Sequence, residues 1–392
     1  MANKIVGRAT AAIMLPLLGS FIAACSSAPA GEESRATEAE ALKSAPVSIA
    51  KTTDGIQQAS APAGAKLIYR GGRVISNVQV VPVLYGSGTY ISQVSSTSAT
   101  AGASMFSFYR DITVSTYFDW LTEYNTTISG GTNQAIGHGT AVTTRQITPA
   151  ASRNGTTITD ASIQAELCAQ LSAGTLPAPT HDAAGNNNTY YAIFFPKGKH
   201  ISLGGTPSCQ AGGFCAYHGT VASCGGKGEV YYGVHPDMSA GSGCDTGCGN
   251  ASTTFANQTS VASHELVEAT TDPEVGIATV IGKPLAWYDA TNGEIGDICN
   301  AQQGTVTSNG FGYNVQKEFS NKCNDCVLTN TGCTGGGGGG CTHSDCTTGG
   351  PLVSGCNSCV TSICSADPFC CNTSWDSICV GEVGSICGQT CP

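Results

Sequence analysis

Runs of apolar residues along the chain predict several buried strands. The run VQVVPVLYG, residues 78–86, is almost continuously apolar and predicts a buried strand. Pro82 within this run predicts an edge position or a bulge, because proline cannot donate to a strand ladder. Aromatic and β-branched residues at 189–196 and 228–234 predict two further strands.

Other segments have the spacing of helices. Residues 103–126 predict a helix in two pieces, with Phe106, Tyr109, Phe118 and Trp120 in the core. A second helix is predicted near residues 160–174, with Asp160 as N-cap and Gly174 at its end. Strands and helices do not alternate regularly, so we predict an α+β fold in which helices pack on a mixed sheet.

The first 25 residues are typical of an export signal. A positively charged start is followed by a short apolar core and by IAAC, which ends at Cys25. This ending matches a lipobox and predicts lipidation of Cys25 in a lipoprotein signal peptide at 1–25. The alternative is an ordinary secretory signal with a chance cysteine. Residues 26–60 are small and polar and predict a disordered tether.

The cysteines predict disulfides and a domain boundary. Apart from Cys25, ten of the 21 cysteines precede the glycine run 335–340 and ten follow it. Each set can therefore pair internally. We predict a main domain at 61–333, a glycine linker at 334–340 and a small disulfide-rich domain at 341–392. Cysteine-bound zinc is the alternative, but the spacings match no standard zinc ribbon.

Charge and disulfides limit the location and partners. The formal net charge is −10 and charged residues make up only 11% of the chain. With no basic stripe, we expect no nucleic-acid partner. Disulfides form in oxidising compartments, so we expect an extracellular or envelope location, with an outer-membrane lipid anchor as its attachment.

The stretch SHELVEATTDPEV, residues 263–275, predicts a helix that can hold a metal. We expect it to begin with an N-cap at Ser260 and to end before Pro273. His264 and Glu268 lie four residues apart and so project from one face. Glu265 points aside, where a zinc protease has its general base. Zinc suits this imidazole–carboxylate pair best, and calcium or manganese would suit a more acidic site.

A second polar segment, WYDATNGEIGDIC at 287–299, can complete such a site. It contains Asp289, Asn292, Glu294 and Asp297 around a turn-forming Asn-Gly pair. Glu294 or Asp297 could supply further metal ligands. The alternative is a hairpin turn with solvated acids.

These segments together resemble a known family. CQAGGFCAYHG, SHELVEATTDP and AWYDATNGEIGDIC, in this order, resemble the EXORDIUM / phosphate-induced protein 1 family over about residues 66–330. The resemblance implies an extracellular protein linked to growth control and the cell wall, without a settled reaction. His218 and His235 depart from the family pattern. We therefore interpret them, like His138, His181 and His200, as ordinary polar residues. The alternative is that one of His218 and His235 is an additional metal ligand.

The C-terminal segment 341–392 resembles cysteine-rich modules of secreted myxobacterial proteins. Its ten cysteines must hold it together, because 52 residues bury little apolar surface. Trp375 either forms the small core or is exposed to bind a sugar or a partner, and the core position is favoured.

Two functions remain in view from the sequence. The first is a lipid-anchored cell-surface protein with a metal-binding HExxE helix, which contacts cell-wall, polysaccharide or protein ligands. The alternative is a metal-dependent hydrolase, a zincin-like peptidase, with Glu265 as its base.

Overall fold

The fold is taken from a computed structural model. It describes residues 61–275, 285–331, 333, 341–353, 356 and 358–391. The predicted signal peptide with Cys25, the tether and the glycine linker lie outside the described residues.

The described chain contains short helices and many strands. The α-helices are α1 Ser92–Ser95, α2 Met105–Ile112, α3 Thr116–Asp119, α4 Asp160–Ser172, α5 Thr254–Thr271, α6 Ser358–Ala366, α7 Phe369–Asn372 and α8 Ser377–Cys387. The 3₁₀ turns are Trp120–Tyr124, Ala151–Arg153 and Asp297–Cys299. The strands are β1 Ile68–Tyr69, β2 Gln79–Tyr85, β3 Thr140–Ala141, β4 Arg145–Ile147, β5 Thr157–Thr159, β6 Thr189–Phe194, β7 His200–Leu203, β8 Thr206–Pro207, β9 Tyr217–Val221, β10 Val230–His235, β11 Trp287–Tyr288, β12 Gln303–Ser308, β13 Phe311–Gln316, β14 Glu318–Ser320 and β15 Asp325–Val327.

A six-stranded mixed sheet forms the centre of the main domain. Its strand order is β3-β2-β6-β10-β9, and β4 pairs with β2 beside β3. All of these pairings are parallel except that of β9 with β10, which is antiparallel. The predicted mixed sheet with packed helices and disulfides is confirmed.

The position of Pro82 differs from the prediction. Strand β2 is internal, with β6 on one side and the short strands β3 and β4 on the other. The amide of Val142 donates to the carbonyl of Val80 on the β3 side. Alternate residues face opposite neighbours, so Pro82 also faces that side, in the gap between β3 and β4. Its missing N–H therefore costs no ladder hydrogen bond.

Both faces of the sheet are buried, which explains its continuous apolar runs. Alternate residues enter two different cores: Val80 and Tyr190 pack on one face, and Val81 and Tyr191 on the other. The first face carries α2 and α5, and the second carries α4. A sheet covered on both sides loses the alternation of polar and apolar positions.

Residues 103–126 form two helical pieces, as predicted. A capping box at Ser104 starts α2, and α3 continues into the 3₁₀ turn Trp120–Tyr124. Tyr109, Phe118 and Trp120 are buried, as expected. Phe106 is only half-buried, so its assignment to the core was wrong. The helix instead turns Met105, Phe108 and Ile112 inward.

The N-cap of α4 is Thr159 rather than Asp160. The Thr159 hydroxyl accepts a hydrogen bond from the Ser162 amide. Asp160 instead lies in the core, where its carboxylate accepts hydrogen bonds from the hydroxyls of Tyr217 and Tyr232 at 2.7 and 2.6 Å. As the N-cap, Asp160 would have used its carboxylate on backbone amides of the helix and not on the two tyrosines.

The helix with the HExxE stretch is longer than predicted. Its N-cap is Thr253, two turns before Ser260, and the helix ends at Thr271, ahead of Pro273 as expected. Ser260 is a buried helical residue, and its hydroxyl accepts a hydrogen bond from Gln303. Helix α5 packs on β9, β10 and β13 and therefore runs through the core.

The cysteines before the glycine run pair with one another, and so do the cysteines after it. Within the described chain five disulfides lie in 168–333 and five in 341–391. They are Cys168–Cys224, Cys209–Cys244, Cys215–Cys248, Cys299–Cys326, Cys323–Cys333, Cys341–Cys356, Cys346–Cys391, Cys359–Cys387, Cys364–Cys371 and Cys370–Cys379. This density indicates an oxidising extracellular or envelope environment.

The cysteine-rich region has its own small core. Trp375 is fully buried among Leu352, Val360 and Val383, as the core interpretation predicted. Among the described residues, no helix has the length and apolar character needed to cross a membrane.

Candidate metal centre

Helix α5 brings three of the predicted site residues into the core. His264, Glu265 and Glu268 are each 0% exposed. His264 and Glu268 share a face, as their spacing predicted, and His264 Nε2 lies 3.0 Å from Glu268 Oε1. A buried imidazole and carboxylate in contact form the core of the predicted site.

The segment after β11 divides into a turn and a ligand-bearing part. Asp289 closes the turn: its carboxylate accepts hydrogen bonds from the amides of Thr291 and Asn292, both at 2.8 Å, and of Lys66 at 2.6 Å. Asp289 therefore belongs to a turn, as the alternative interpretation had it, but it is buried rather than solvated. Its two oxygens already accept hydrogen bonds from the turn and from Lys66.

Glu294 and Asp297 turn towards α5. The Asp297 amide donates to Glu268 Oε1 at 3.0 Å, and Asp297 Oδ1 lies 4.0 Å from His264 Nε2. His264, Glu268 and Asp297 thus offer ligand atoms within 4.8 Å of one another. Glu294 is fully buried, but it lies closer to another histidine than to His264.

That histidine is His218, which the sequence analysis interpreted as an ordinary polar residue. His218 Nε2 lies 3.1 Å from Glu294 Oε2 and 3.6 Å from Glu268 Oε2. His218 is 1% exposed on β9, at the centre of the cluster. His218 was missed because strand 217–221 was not predicted from the sequence. With this strand paired to β10, His218 faces α5.

The remaining histidines lie outside the cluster. His138, His181 and His200 are exposed, in keeping with the prediction. His235 is buried on β10, where its ring stacks on Phe194 with centroids 4.7 Å apart. Burial lowers the pKa of His235 to about 3, so this histidine is a neutral core residue.

Two further polar residues beside the cluster were missed because their strands were not predicted. Glu318 on β14 is fully buried and accepts a hydrogen bond from the Tyr117 hydroxyl at 2.8 Å. Gln316 on β13 donates from Nε2 to the Gly296 carbonyl at 2.8 Å and lies 2.7 Å from His264 Nδ1. Gln316 therefore contacts His264 on the side away from Glu268.

Burial and mutual repulsion shift the carboxyl groups towards their neutral form. Burial is the largest cause that raises the pKa of Glu294 well above its usual value, and Glu268 is the second. The same two causes, in the same order, raise the pKa of Asp297 to about 8. Burial also raises the pKa of Glu265, against the attraction of His264.

The two imidazoles shift in opposite directions. Burial lowers the pKa of His218 to about 4, and the nearby Glu268 only partly offsets it. For His264 burial is the largest single cause and acts to lower the pKa, but Glu268, Glu265 and Glu318 together outweigh it, and the pKa lies well above 6.5. His264 is therefore the group that neutralises part of the acidic cluster when no cation is bound.

Several polar atoms of the cluster are buried without a hydrogen bond. Within the described chain these are both carboxylate oxygens of Glu265, together with His264 Nε2, His218 Nδ1, Glu268 Oε2, Glu294 Oε1 and Glu318 Oε2. Leaving such groups unpaired costs about 1–3 kcal/mol each. A divalent cation satisfies carboxylates and imidazoles of this kind directly, so the residues fit a metal.

Binding at His264 sets a condition on Gln316. A cation on Nε2 requires the proton on Nδ1, and Gln316 must then present its amide oxygen to it. Oxygen and nitrogen exchange places when the amide turns by 180°. The turn breaks the Gln316 bond to the Gly296 carbonyl.

Comparison with known proteins identifies only the cysteine-rich end. Residues 339–391 match a family described as a domain of unknown function (DUF8252). No curated protein and no solved structure matches the chain significantly. The match covers the small disulfide-rich module and leaves the main domain with its metal centre outside it.

Proposed function

We propose that this is an exported cell-surface protein whose main domain binds a divalent cation. The cation would lie between His264, Glu268 and Asp297, with Glu294 and His218 beside it. The observation that carries the proposal is a buried cluster of carboxylates whose ion pairs, among the described residues, are made with the histidines His218 and His264 and with no lysine or arginine. Arg73, Arg110 and Arg153 pair with other acids, namely Glu229, Glu274, Asp111 and Glu166. Buried charges of one sign are costly unless a counter-ion joins them.

Zinc is the cation that these ligands favour. Imidazole nitrogen with carboxylate oxygen is a common zinc set, whereas calcium is bound almost entirely through oxygen. Two histidines in the cluster therefore argue against calcium. Manganese accepts the same donors with a preference for more carboxylates and remains the closest competitor.

The burial of the ligands supports a structural or regulatory cation. His264, Glu268 and Glu294 are each 0% exposed, and the Asp297 side chain is 22% exposed. A closed site with four or more protein ligands is typical of structural metals. In this proposal lipid on Cys25 anchors the protein to the outer membrane, and the cation-stabilised domain contacts an envelope polysaccharide or protein. The resemblance to EXORDIUM-like proteins supports the same role.

One observation favours a hydrolase as the second candidate. Glu265 offers ligand atoms within 4.8 Å of those of His218 and Glu268, and both of its oxygens lack a hydrogen bond in the described structure. A bound cation would supply Lewis-acid chemistry, and Glu265 would accept a proton from water. Burial raises the pKa of Glu265 well above its usual value, which makes its carboxylate a stronger base.

The metal content of the full chain tests the proposal. The chain would be exported into an oxidising compartment, purified in detergent, and analysed by elemental mass spectrometry beside His264→Ala and Glu268→Gln. Bound zinc or manganese in the wild type and its loss in both variants is the expected result. His235→Gln is the matched control, since it removes a buried histidine outside the cluster. A folded, fully disulfide-bonded wild type that retains no metal after incubation with either ion would overturn the proposal.

The two candidate functions separate on activity. A peptidase screen of the zinc-loaded chain beside Glu265→Gln distinguishes them, because this substitution removes the base and keeps the proposed ligands. Cleavage that disappears in Glu265→Gln supports the hydrolase. Metal binding without such cleavage supports the interaction protein.

A further inference from the structure

We propose that the cluster binds two divalent cations, joined by the carboxylate of Glu268. One lies with His264 and Asp297, and the other with His218 and Glu294. This inference rests on the proposed cation-binding function and extends it from one cation to a pair. It makes His218 a metal ligand, which the sequence analysis gave only as the alternative interpretation.

The two oxygens of Glu268 face different imidazoles. Oε1 lies 3.0 Å from His264 Nε2, and Oε2 lies 3.6 Å from His218 Nε2. The Asp297 amide donates to Oε1 at 3.0 Å and holds the carboxylate in this orientation. A carboxylate that offers one oxygen to each of two metal ions is the usual bridge of a two-metal site, where the ions lie about 3.5–4 Å apart.

Each half of the cluster has its own additional carboxylate. Asp297 Oδ1 lies 4.0 Å from His264 Nε2, and Glu294 Oε2 lies 3.1 Å from His218 Nε2. Each imidazole therefore meets one Glu268 oxygen and one further acid. The two halves come from different elements, because His264 lies on α5 and His218 on β9.

Unpartnered buried atoms point to a ligand in both halves. His264 Nε2 has no hydrogen bond in the described structure, although Glu268 Oε1 is close, so the two atoms are near without being aligned as donor and acceptor. On the other side Glu268 Oε2, Glu294 Oε1 and both oxygens of Glu265 are equally without a partner. His218 Nε2 and Glu294 Oε2 form a hydrogen bond at 3.1 Å, which a cation between them would replace.

The acids of the cluster are numerous enough for two dications. The carboxyl groups at its centre are Glu265, Glu268, Glu294 and Asp297, whose ionised forms carry four negative charges. Two divalent cations match the charge of this fully ionised set. Buried charge is costly unless it is paired, so a cluster that ionises on metal binding accommodates a second cation.

Zinc stoichiometry in the full chain tests the pair. Chelator-treated protein would be titrated with ZnCl₂, followed by calorimetry and native mass spectrometry. Two zinc ions per chain are expected. A ratio of one overturns the pair and leaves the proposed cation-binding function standing. A ratio of zero with zinc, and again with MnCl₂, removes both, so the two failures are distinguishable without any variant.

Single substitutions locate the two ions. Asp297→Asn and His218→Gln should each lower the ratio from two to one, and Glu268→Gln should lose both ions. His235→Gln keeps two. If Asp297→Asn and His218→Gln both bind no zinc while retaining the native disulfides and near-ultraviolet circular dichroism, the ligands belong to one shared ion and the pair is overturned.

Manganese provides a second readout that does not depend on the variants. Protein loaded with MnCl₂ should show the electron paramagnetic resonance spectrum of two coupled ions. The spectrum of isolated ions at saturating manganese contradicts a shared bridge.

Discussion

A β-carbon on Gly296 would lie 2.7 Å from His264 Nδ1 and 2.9 Å from Glu268 Oε1. Gly296 has φ −83° and ψ −37°, a conformation that any residue adopts. Glycine is therefore needed here for space, because its backbone closes over the two ligand side chains. This contact explains the glycine within Glu-Ile-Gly-Asp, the segment that carries Glu294 and Asp297.

Gly296→Ala should damage the metal centre. The added methyl group must displace His264 or Glu268, and overpacking of this kind costs about 1–3 kcal/mol. We expect a lower free energy of unfolding in denaturant titrations and weaker zinc binding in calorimetry. Gly381→Ala is the control: it lies in α8, where a β-carbon meets nothing within 4 Å, and should not destabilise the protein. Wild-type zinc affinity in Gly296→Ala would contradict this prediction.

Gln316→Leu should weaken zinc binding without abolishing it. Gln316 is the side chain that lies 2.7 Å from His264 Nδ1, and a bound His264 needs an acceptor there. Loss of such an acceptor costs about 10–100-fold in metal affinity. Competition with a chromogenic chelator measures the effect. Gln303→Leu is the control on the opposite strand, since Gln303 pairs with Gln316 in the ladder but its side chain bonds Ser260 and Asn250. An equal loss of zinc affinity in both variants would show that the loss does not arise from the contact of Gln316 with His264.

The metal-free protein should become less stable as pH rises from 6.5 to about 8. Burial, with Glu268 second, raises the pKa of Asp297 from 3.8 to about 8, and Glu294 is raised for the same reasons. The folded state thus binds protons more tightly than the unfolded state, so its stabilising effect is full at low pH and is lost as pH rises through the folded pKa.

Two histidines bear on the same pH window. Burial lowers the pKa of His218 to about 4, which destabilises the folded protein at acidic pH. This effect fades as pH rises towards 6.5 and adds little to the change above it. The pKa of His264 is raised, which acts in the same direction as the acids. We expect the Tm of the chelated protein to fall by at least several degrees between pH 6.5 and 8, and zinc to reverse the fall. A Tm that is constant or rising in the chelated wild type would refute the assignment, and Asp297→Asn should flatten the curve.

Removal of the Cys299–Cys326 disulfide should loosen the metal centre. Cys299 ends the 3₁₀ turn that begins at Asp297, and the disulfide closes a loop of 27 residues against β15. Chain entropy predicts a loss of about 3–4 kcal/mol for a loop of this size. The double substitution to serine should lower both the unfolding midpoint and the zinc affinity. The matched control removes Cys168–Cys224, which lies between α4 and the loop after β9 and should affect stability alone.

The sequence determined the elements whose signals are local. The spacing of His264 and Glu268 requires one helical face, and Pro273 requires the helix to end before it, as observed. The even cysteine sets predicted pairing within each half, and the apolar runs predicted buried strands, although Pro82 wrongly placed one of them at an edge or a bulge. Local capping was less certain: Thr159 and Thr253 replaced Asp160 and Ser260, because each predicted cap residue is occupied elsewhere in the core.

Only the tertiary structure decided which residues share the metal centre. His218 lies 46 positions before His264 in the chain, yet the antiparallel placement of β9 beside β10 brings it to Glu268 and Glu294. The placement of β13 and β14 likewise brings Gln316 and Glu318, respectively, beside the cluster. Asp289 and Asp297 look equivalent in sequence, but one closes a turn and the other reaches the helix. Side chains on separate elements meet through packing, and spacing along the chain does not encode that meeting.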